Sequence, residues 1–68
     1  MWIASNDACE VSWTNSNSNN TVELIHDCGE EYEVFVLDEN EEVIEILSRE
    51  LDFEGSLYMA REYMSENP

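Results

Sequence analysis

The chain contains no lysine, and its two arginines face seventeen aspartates and glutamates, which gives a formal net charge of −15 at pH 7. A surface this acidic repels nucleic acid, phosphate ligands and anionic membranes, whereas it attracts basic protein surfaces. Two arginines are too few to build an anion site. We therefore expect no direct binding of nucleic acid and no membrane association, and we look for a protein partner.

Histidine and glycine are also scarce, with one and two residues, respectively. A nucleophile–base arrangement would have to use His26, and no serine or cysteine in the sequence stands out as activated. The chain has no glycine-rich phosphate loop, and its carboxylates are too numerous to single out an acid–base pair. We therefore expect neither an enzyme nor a cofactor.

The two cysteines do not indicate a zinc site. His26, Asp27 and Cys28 are adjacent, but together with the distant Cys9 they match no common zinc spacing. The N-terminal residues lack the basic and apolar regions of a secretory signal, which predicts a cytoplasmic protein. In that compartment both cysteines are expected as free thiols, and a Cys9–Cys28 disulfide is the alternative in an oxidising one.

A calcium loop is not expected either, although residues 38–49 superficially resemble one. The sixth position of that segment is Val43 and the twelfth is Arg49, where a calcium loop requires glycine and glutamate. Weak, unspecific binding of divalent ions at residues 38–42 stays open. No metal site is predicted.

The apolar content indicates a folded protein, since apolar residues make up 43% of the chain and two Trp, three Tyr and two Phe can anchor a core. This composition differs from that of a disordered acidic tail. With 68 residues, the chain is expected to form a single domain, 1–68, of marginal stability.

Alternation of apolar and polar residues predicts four strands, separated by a polar loop at 14–20, a turn at 27–30 and a hairpin loop at 38–41. The predicted strands cover residues 8–13, 21–26, 31–37 and 42–47. Trp2 and Ile3 either extend the first strand or begin a short one of their own.

The C-terminal segment changes to a helical period, with Phe53, Leu57, Ala60 and Met64 on one stripe and Asp52 as the N-cap. The predicted fold class is therefore α+β. We expect a three- to four-stranded antiparallel meander with one C-terminal helix packed on one face.

The two-residue period of the strands predicts which side chains face the helix and which face away from it. The helix-facing set is Val11, Trp13, Val22, Leu24, Tyr32, Val34, Val36, Ile44 and Ile46. The opposite set is Glu10, Glu23, Glu31, Glu33 and Glu45, with Phe35, Leu37, Val43 and Leu47 among them. Because neighbouring like charges destabilise a sheet, this acidic face indicates a role outside folding.

The spacing of the carboxylates favours a basic partner. Carboxylates at i and i+2 of a strand, such as Glu31 and Glu33, lie roughly 6.6 Å apart, near the separation of successive phosphates on a nucleic-acid strand. We predict that the partner is a Lys/Arg-rich nucleic-acid-binding protein or complex. The predicted contact residues are Glu31, Glu33, Phe35, Leu37, Asp38, Glu39, Glu41, Glu42 and Glu45.

In size, charge and patterning, the segment GEEYEVFVLDENEEVIEIL at 29–47 and the short α+β layout around it resemble a class of phage proteins. These are the small acidic inhibitors of nucleic-acid-handling machinery: anti-CRISPR, anti-restriction and other DNA-mimic proteins. The resemblance implies a stoichiometric viral inhibitor that acts in the host cytoplasm and fills the DNA- or RNA-binding surface of an effector complex or nuclease. These inhibitors share no motif, so the resemblance assigns no individual residue.

The acidity is also compatible with three alternatives. The charges could form a solvated face that aids solubility, or they could belong to a halophilic surface. The chain could also be a small structural or regulatory domain, with a homodimer that buries Phe35, Leu37 and Leu47.

Overall fold

The computed structural model describes residues 1–7, 10–26 and 31–68. In these ranges the chain forms one antiparallel sheet, whose strands lie in the order β1-β2-β3-β4-β5, and a C-terminal helix on one of its faces. The elements are β1 (Trp2–Asp7), β2 (Glu10–Asn15), β3 (Thr21–His26), β4 (Tyr32–Leu37), β5 (Val43–Leu51) and α1 (Phe53–Glu66). The predicted α+β class, meander and C-terminal helix are confirmed.

The sheet has five strands rather than the three or four predicted. The additional strand is β1, which pairs with β2 from Trp2↔Asn15 to Asp7↔Glu10. β1 is an edge strand, and its residues 3–6 are exposed. Its sequence, WIASND, therefore shows no sustained alternation of apolar and polar residues, which is why the strand was not predicted at full length. The predicted turn at 27–30 and the residues Cys9 and Cys28 lie outside the described residues.

The core is a patch of four side chains on the two central strands. Val22, Leu24, Val34 and Val36 are each at most 2% exposed, and they lie opposite one another as Val22↔Val36 and Leu24↔Val34. Ala60 of α1 is fully buried against them, because its small side chain lets the helix approach the sheet closely. Full burial of a valine or leucine stabilises the fold by about 1.5–3 kcal/mol each.

The helix begins as predicted. The Asp52 carboxylate accepts a hydrogen bond of 2.8 Å from the backbone N–H of Gly55, which caps the first turn. Leu57 and Met64 pack beside Ala60 against the core, as the predicted stripe requires. Phe53 lies at the margin of that stripe and is 43% exposed.

Irregular pairing between β4 and β5 makes the prediction for β5 wrong. The register shifts between Val34 and Phe35 and again between Val36 and Leu37, so that β5 does not keep a two-residue period along its length. Glu45 lies opposite buried Val36 and Leu47 packs against the core, which places both on the helix side. Ile44 and Ile46, predicted to face the helix, are 53% and 47% exposed.

Hydrogen bonds from Asn15 and Trp2 connect the first two strands to the C-terminal end of α1. Asn15 is 3% exposed, and its side-chain amide donates to the carbonyl oxygen of Asn67 at 3.3 Å. Its Oδ1 accepts from the backbone N–H of Asn17 at 2.8 Å. The indole N–H of Trp2 donates to the carbonyl oxygens of Met64 and Asn67 at 3.2 and 3.0 Å. These bonds satisfy carbonyl groups at the C-terminal end of α1.

We predict that Ser56→Ala raises the free energy of unfolding by about 1 kcal/mol. Ser56 is fully buried in α1. Its hydroxyl group makes no hydrogen bond within residues 1–7, 10–26 and 31–68. Removing that hydroxyl removes a desolvation cost, and alanine also favours the helix. Chemical denaturation measures the change, with exposed Ser5→Ala as control. A loss of stability in Ser56→Ala would contradict the prediction.

Candidate protein-binding surface

The face of the sheet that points away from α1, called here the open face, consists of three rows of residues that lie opposite one another across the strands. The first row is Glu10, Ile25 and Glu33. The second is Ser5, Ser12, Glu23, Phe35 and Ile46. The third is Ile3, Thr14, Thr21, Leu37 and Val43. These positions alternate with the buried ones, so the core packing determines which side chains the open face presents.

The open face is divided into a polar part and an apolar part. On β1 and β2, Ser5, Ser12 and Thr14 present hydroxyl groups, with exposed Ile3 at the edge of the sheet. Carboxylates flank Ile25 in the first row and occupy the centre of the second. The β4–β5 side is apolar: Phe35 and Leu37 are half-buried, whereas Val43 and Ile46 are about half exposed. Carboxylates beside exposed apolar groups suit a protein partner better than free solvent.

The loop between β4 and β5, called here the acidic loop, is held in one conformation by Asp38. The Asp38 carboxylate accepts hydrogen bonds from the backbone N–H groups of Asn40 and Glu42 at 2.8 and 3.0 Å. Backbone bonds between Asp38 and Glu42 and between Glu41 and Asp38 close the loop. Glu41 adopts a left-handed φ of 64°, a conformation that costs about 1 kcal/mol or more outside glycine. The loop thus presents exposed Glu39, Glu41 and Glu42 in fixed positions.

A cleft of about 310 Å³ joins the acidic loop to the open face. Thr21, Glu23 and Leu37 line it from the strands, and Asp38 and Glu41 line it from the loop. Its volume is at the lower limit for a small-molecule pocket and is large enough for a long side chain. Three carboxylates and an apolar wall suit the charged head and aliphatic stem of an arginine or lysine.

The carboxyl groups of Glu10 and Glu23 lie within hydrogen-bonding reach of each other on this face. The pKa of Glu23 is raised from its ordinary 4.5 to about 7, chiefly by a hydrogen bond with the Glu10 carboxyl group. Partial burial and the negative charges of Glu10 and Glu41 add to the shift. A substantial fraction of Glu23 is therefore neutral near pH 7, which relieves part of the repulsion within the face.

The structure brings most of the predicted contact residues together. Glu33, Phe35 and Leu37 lie on the open face, and Asp38, Glu39, Glu41 and Glu42 form the adjoining loop. Glu31 is exposed immediately before β4. Glu45 is the exception, because the bulges turn it to the helix side.

The predicted contact set did not include Glu10, Glu23, Ile44 or Ile46. Glu10 and Glu23 were placed on the correct face, but their proximity depends on the β2–β3 register, which the sequence pattern does not specify. Ile44 and Ile46 were missed because a strict two-residue period takes no account of the bulges in β5. Glycine, the usual signal of some bulges, is absent from this strand.

The sequence suggested that the acidic residues gather on one face of the sheet. In the structure they lie on both sides of it. The helix layer carries carboxylates of its own, in addition to those of the open face and acidic loop. They are Glu45, Asp52, Glu54, Glu62 and Glu66. On the open face, carboxylates lie beside the exposed apolar side chains Val43 and Ile46 and a cleft of about 310 Å³.

Within residues 1–7, 10–26 and 31–68, no group of three or more His, Cys, Asp or Glu side chains is arranged to hold a metal ion. The same part of the chain contains no helix that is long and apolar enough to cross a membrane. No protein-family model, curated protein sequence or solved structure matches the chain.

We predict that Glu23→Gln stabilises the protein above pH 7 and leaves stability unchanged below pH 4.5. Because the pKa of Glu23 is higher in the folded than in the unfolded state, the folded state binds the Glu23 proton more tightly. The stability that this proton contributes is complete below pH 4.5 and is lost as the pH rises through about 7. Glutamine keeps a hydrogen-bond donor at every pH. The expected gain at pH 8 is about 1 kcal/mol after solvent screening.

Glu39→Gln in the exposed acidic loop is the matched control, because it also removes one charge. Urea unfolding of both variants and the parent chain between pH 4 and 8 gives the comparison. Identical pH profiles for the two variants would contradict the raised pKa of Glu23.

Proposed function

We propose that this chain is a non-enzymatic acidic protein that binds the basic, nucleic-acid-binding surface of a partner protein and thereby excludes DNA or RNA from it. The supporting observation is the cleft between the open face and the acidic loop, where Glu23, Asp38 and Glu41 surround an apolar wall. With two arginines and no lysine, the chain has few cations of its own to pair with these carboxylates, and protonation of Glu23 neutralises only part of their charge. A partner that supplies arginines and lysines neutralises them.

The binding energy in this mechanism has two sources. Carboxylates of the acidic loop pair with arginine and lysine side chains, in place of the phosphates that normally occupy that surface. Phe35, Val43 and Ile46 form the apolar centre, from which water is excluded on binding. Their location beside the loop allows both kinds of contact at once.

The cleft is the proposed position of one partner arginine or lysine. The aliphatic stem lies against Leu37, and the charged group lies between Glu23 and the loop carboxylates Asp38 and Glu41. A cation at this position favours the ionised form of Glu23. Binding is therefore accompanied by release of a proton when the pH lies below about 7.

The resemblance to phage DNA-mimic inhibitors, including anti-CRISPR and anti-restriction proteins, supports the same proposal at the level of size and charge. On this proposal the chain is a viral inhibitor that acts stoichiometrically in the cytoplasm of the host. It requires no cofactor and no metal, because occupancy of the basic surface is sufficient for inhibition.

A second candidate function is a structural or regulatory domain that forms a homodimer through the open face. The contiguous exposed side chains Val43, Ile44 and Ile46 favour it. The expected participant Leu47 packs against the core and is replaced by Ile46 on this face. Sedimentation equilibrium distinguishes the candidates: a stable dimer leaves no open face for a basic partner.

We predict that Glu39→Lys weakens binding to the partner about tenfold at low salt, whereas Glu54→Lys has less than a twofold effect. Glu39 is exposed at the tip of the acidic loop, and Glu54 is exposed in the first turn of α1. The immobilised chain first captures partners from a nuclease-treated lysate, and mass spectrometry identifies them. Affinities are then measured with the purified partner.

Each variant carries the same change of charge, so general Coulomb attraction affects both equally. The affinity of the parent chain is expected to fall steeply as salt is raised. Equal affinities of the two variants for the captured partner would refute the proposed contact surface. Partners without a basic nucleic-acid-binding surface would refute the proposed function.

A further inference from the structure

A separate groove lies on the helix side of the sheet, between β5 and the last two turns of α1. Glu45 and Leu47 of β5 line one wall of this β5–α1 groove. The other wall comes from α1, through Met59, Glu62, Tyr63 and Glu66. Its volume is about 170 Å³, too small for most drug-sized ligands. It can hold part of one long side chain.

The floor of the β5–α1 groove is apolar and fixed. Leu47 and Tyr63 pack against the hydrophobic core, and Met59 is half-buried beside them. The edge of the Tyr63 ring meets Trp2, with ring centroids 6.4 Å apart and planes at 68°. The floor is thus a preformed apolar strip that remains partly open to solvent.

The rim of the groove is acidic and electrostatically unfavourable to the chain itself. Glu62 and Glu66 are like charges at i and i+4, which destabilise a helix by a few tenths of a kcal/mol. They lie near the C-terminal end of α1, where the helix dipole is negative and the last turn has no basic residue. Glu45 adds a third carboxylate from the facing strand.

The negative charge of Glu45 at the rim acts on Tyr63 in the floor of the groove. The pKa of Tyr63 is raised, first by burial and then by the negative charge of Glu45. Neither Arg49 nor Arg61 lines the groove. The repulsion is therefore left for a cation from outside the chain to relieve.

We propose that the β5–α1 groove is a second docking surface, for a protein segment in which a lysine or arginine alternates with apolar residues. The aliphatic stem of the basic residue lies along Leu47 and Met59. Its charged group lies between Glu45 and Glu62, and the neighbouring apolar residue covers the ring of Tyr63. Charge complementarity selects this occupant, because an apolar peptide would leave three carboxylates desolvated and unpaired.

The groove and the open face lie on opposite sides of the sheet. A single chain can therefore contact two basic segments at once, either from one partner that wraps around it or from two partner molecules. Two simultaneous contacts increase the apparent affinity without further interactions at either site. The groove proposal does not depend on the function proposed for the open face.

Titration of the ¹⁵N-labelled full chain with the peptide acetyl-KLRLK-amide tests the groove by NMR. We expect saturable shifts at the backbone amides of Leu47, Met59 and Tyr63. The double variant Glu45→Gln/Glu62→Gln should raise the Kd read from these amides about tenfold. The matched control Glu39→Gln/Glu42→Gln also removes two charges and should change that Kd less than twofold.

The apolar part of the proposal is tested by acetyl-KGRGK-amide, which keeps the charges and lacks the leucines. It should bind the groove at least fivefold more weakly than acetyl-KLRLK-amide, because it has no apolar side chain to cover the ring of Tyr63. Met59→Ala should weaken both peptides alike, because both keep the basic stem that lies along Met59. Equal weakening by both double variants would mean unspecific attraction and would overturn the proposal, as would the absence of shifts at the groove. Shifts at Phe35 and Ile46 report the open face separately, so failure of one surface is distinguishable from failure of the other.

Discussion

The packing of α1 onto the centre of β3 and β4 is the interaction on which the remaining structure depends. Val22, Leu24, Val34 and Val36 are sealed by a helix that approaches at Ala60. Once these four point toward the helix, the strand period sends Glu23, Phe35 and Leu37 to the other face. The composition of the open face is therefore a consequence of core packing. No separate interaction on the open face is required to hold these side chains there.

Repulsion among the charges that make up the net charge of −15 destabilises the folded state, and packing of this core offsets it. Three local features reduce the repulsion. The Asp52 cap places a carboxylate at the positive end of α1, and the Asp38 carboxylate accepts hydrogen bonds from two backbone N–H groups. The third is the raised pKa of Glu23, which leaves part of this group neutral near pH 7. No comparable device is seen at the last turn of α1. The acidic loop thus holds its exposed carboxylates in a fixed geometry.

The regular parts of the fold were predictable from sequence, because burial imposes its period on the residues. The strand at 21–26, the core positions of β3 and β4, and the helix with its Asp52 cap are confirmed. The errors lie where burial is weak or the period breaks. β1 contributes few buried apolar groups, and the bulges of β5 exchange the sides of Glu45 and Ile46, which no local signal announces. The acidic loop was predictable as a cluster, whereas the cleft and the Glu10–Glu23 pair depend on cross-strand register.

The central claim is that the open face and acidic loop occupy a surface that nucleic acid would otherwise fill. Competition on the purified partner tests it most directly, with fluorescently labelled DNA or RNA bound first and this chain added as competitor. We expect complete displacement of the nucleic acid, with an apparent inhibition constant that rises linearly with nucleic-acid concentration. A stable ternary complex of partner, nucleic acid and this chain would contradict it.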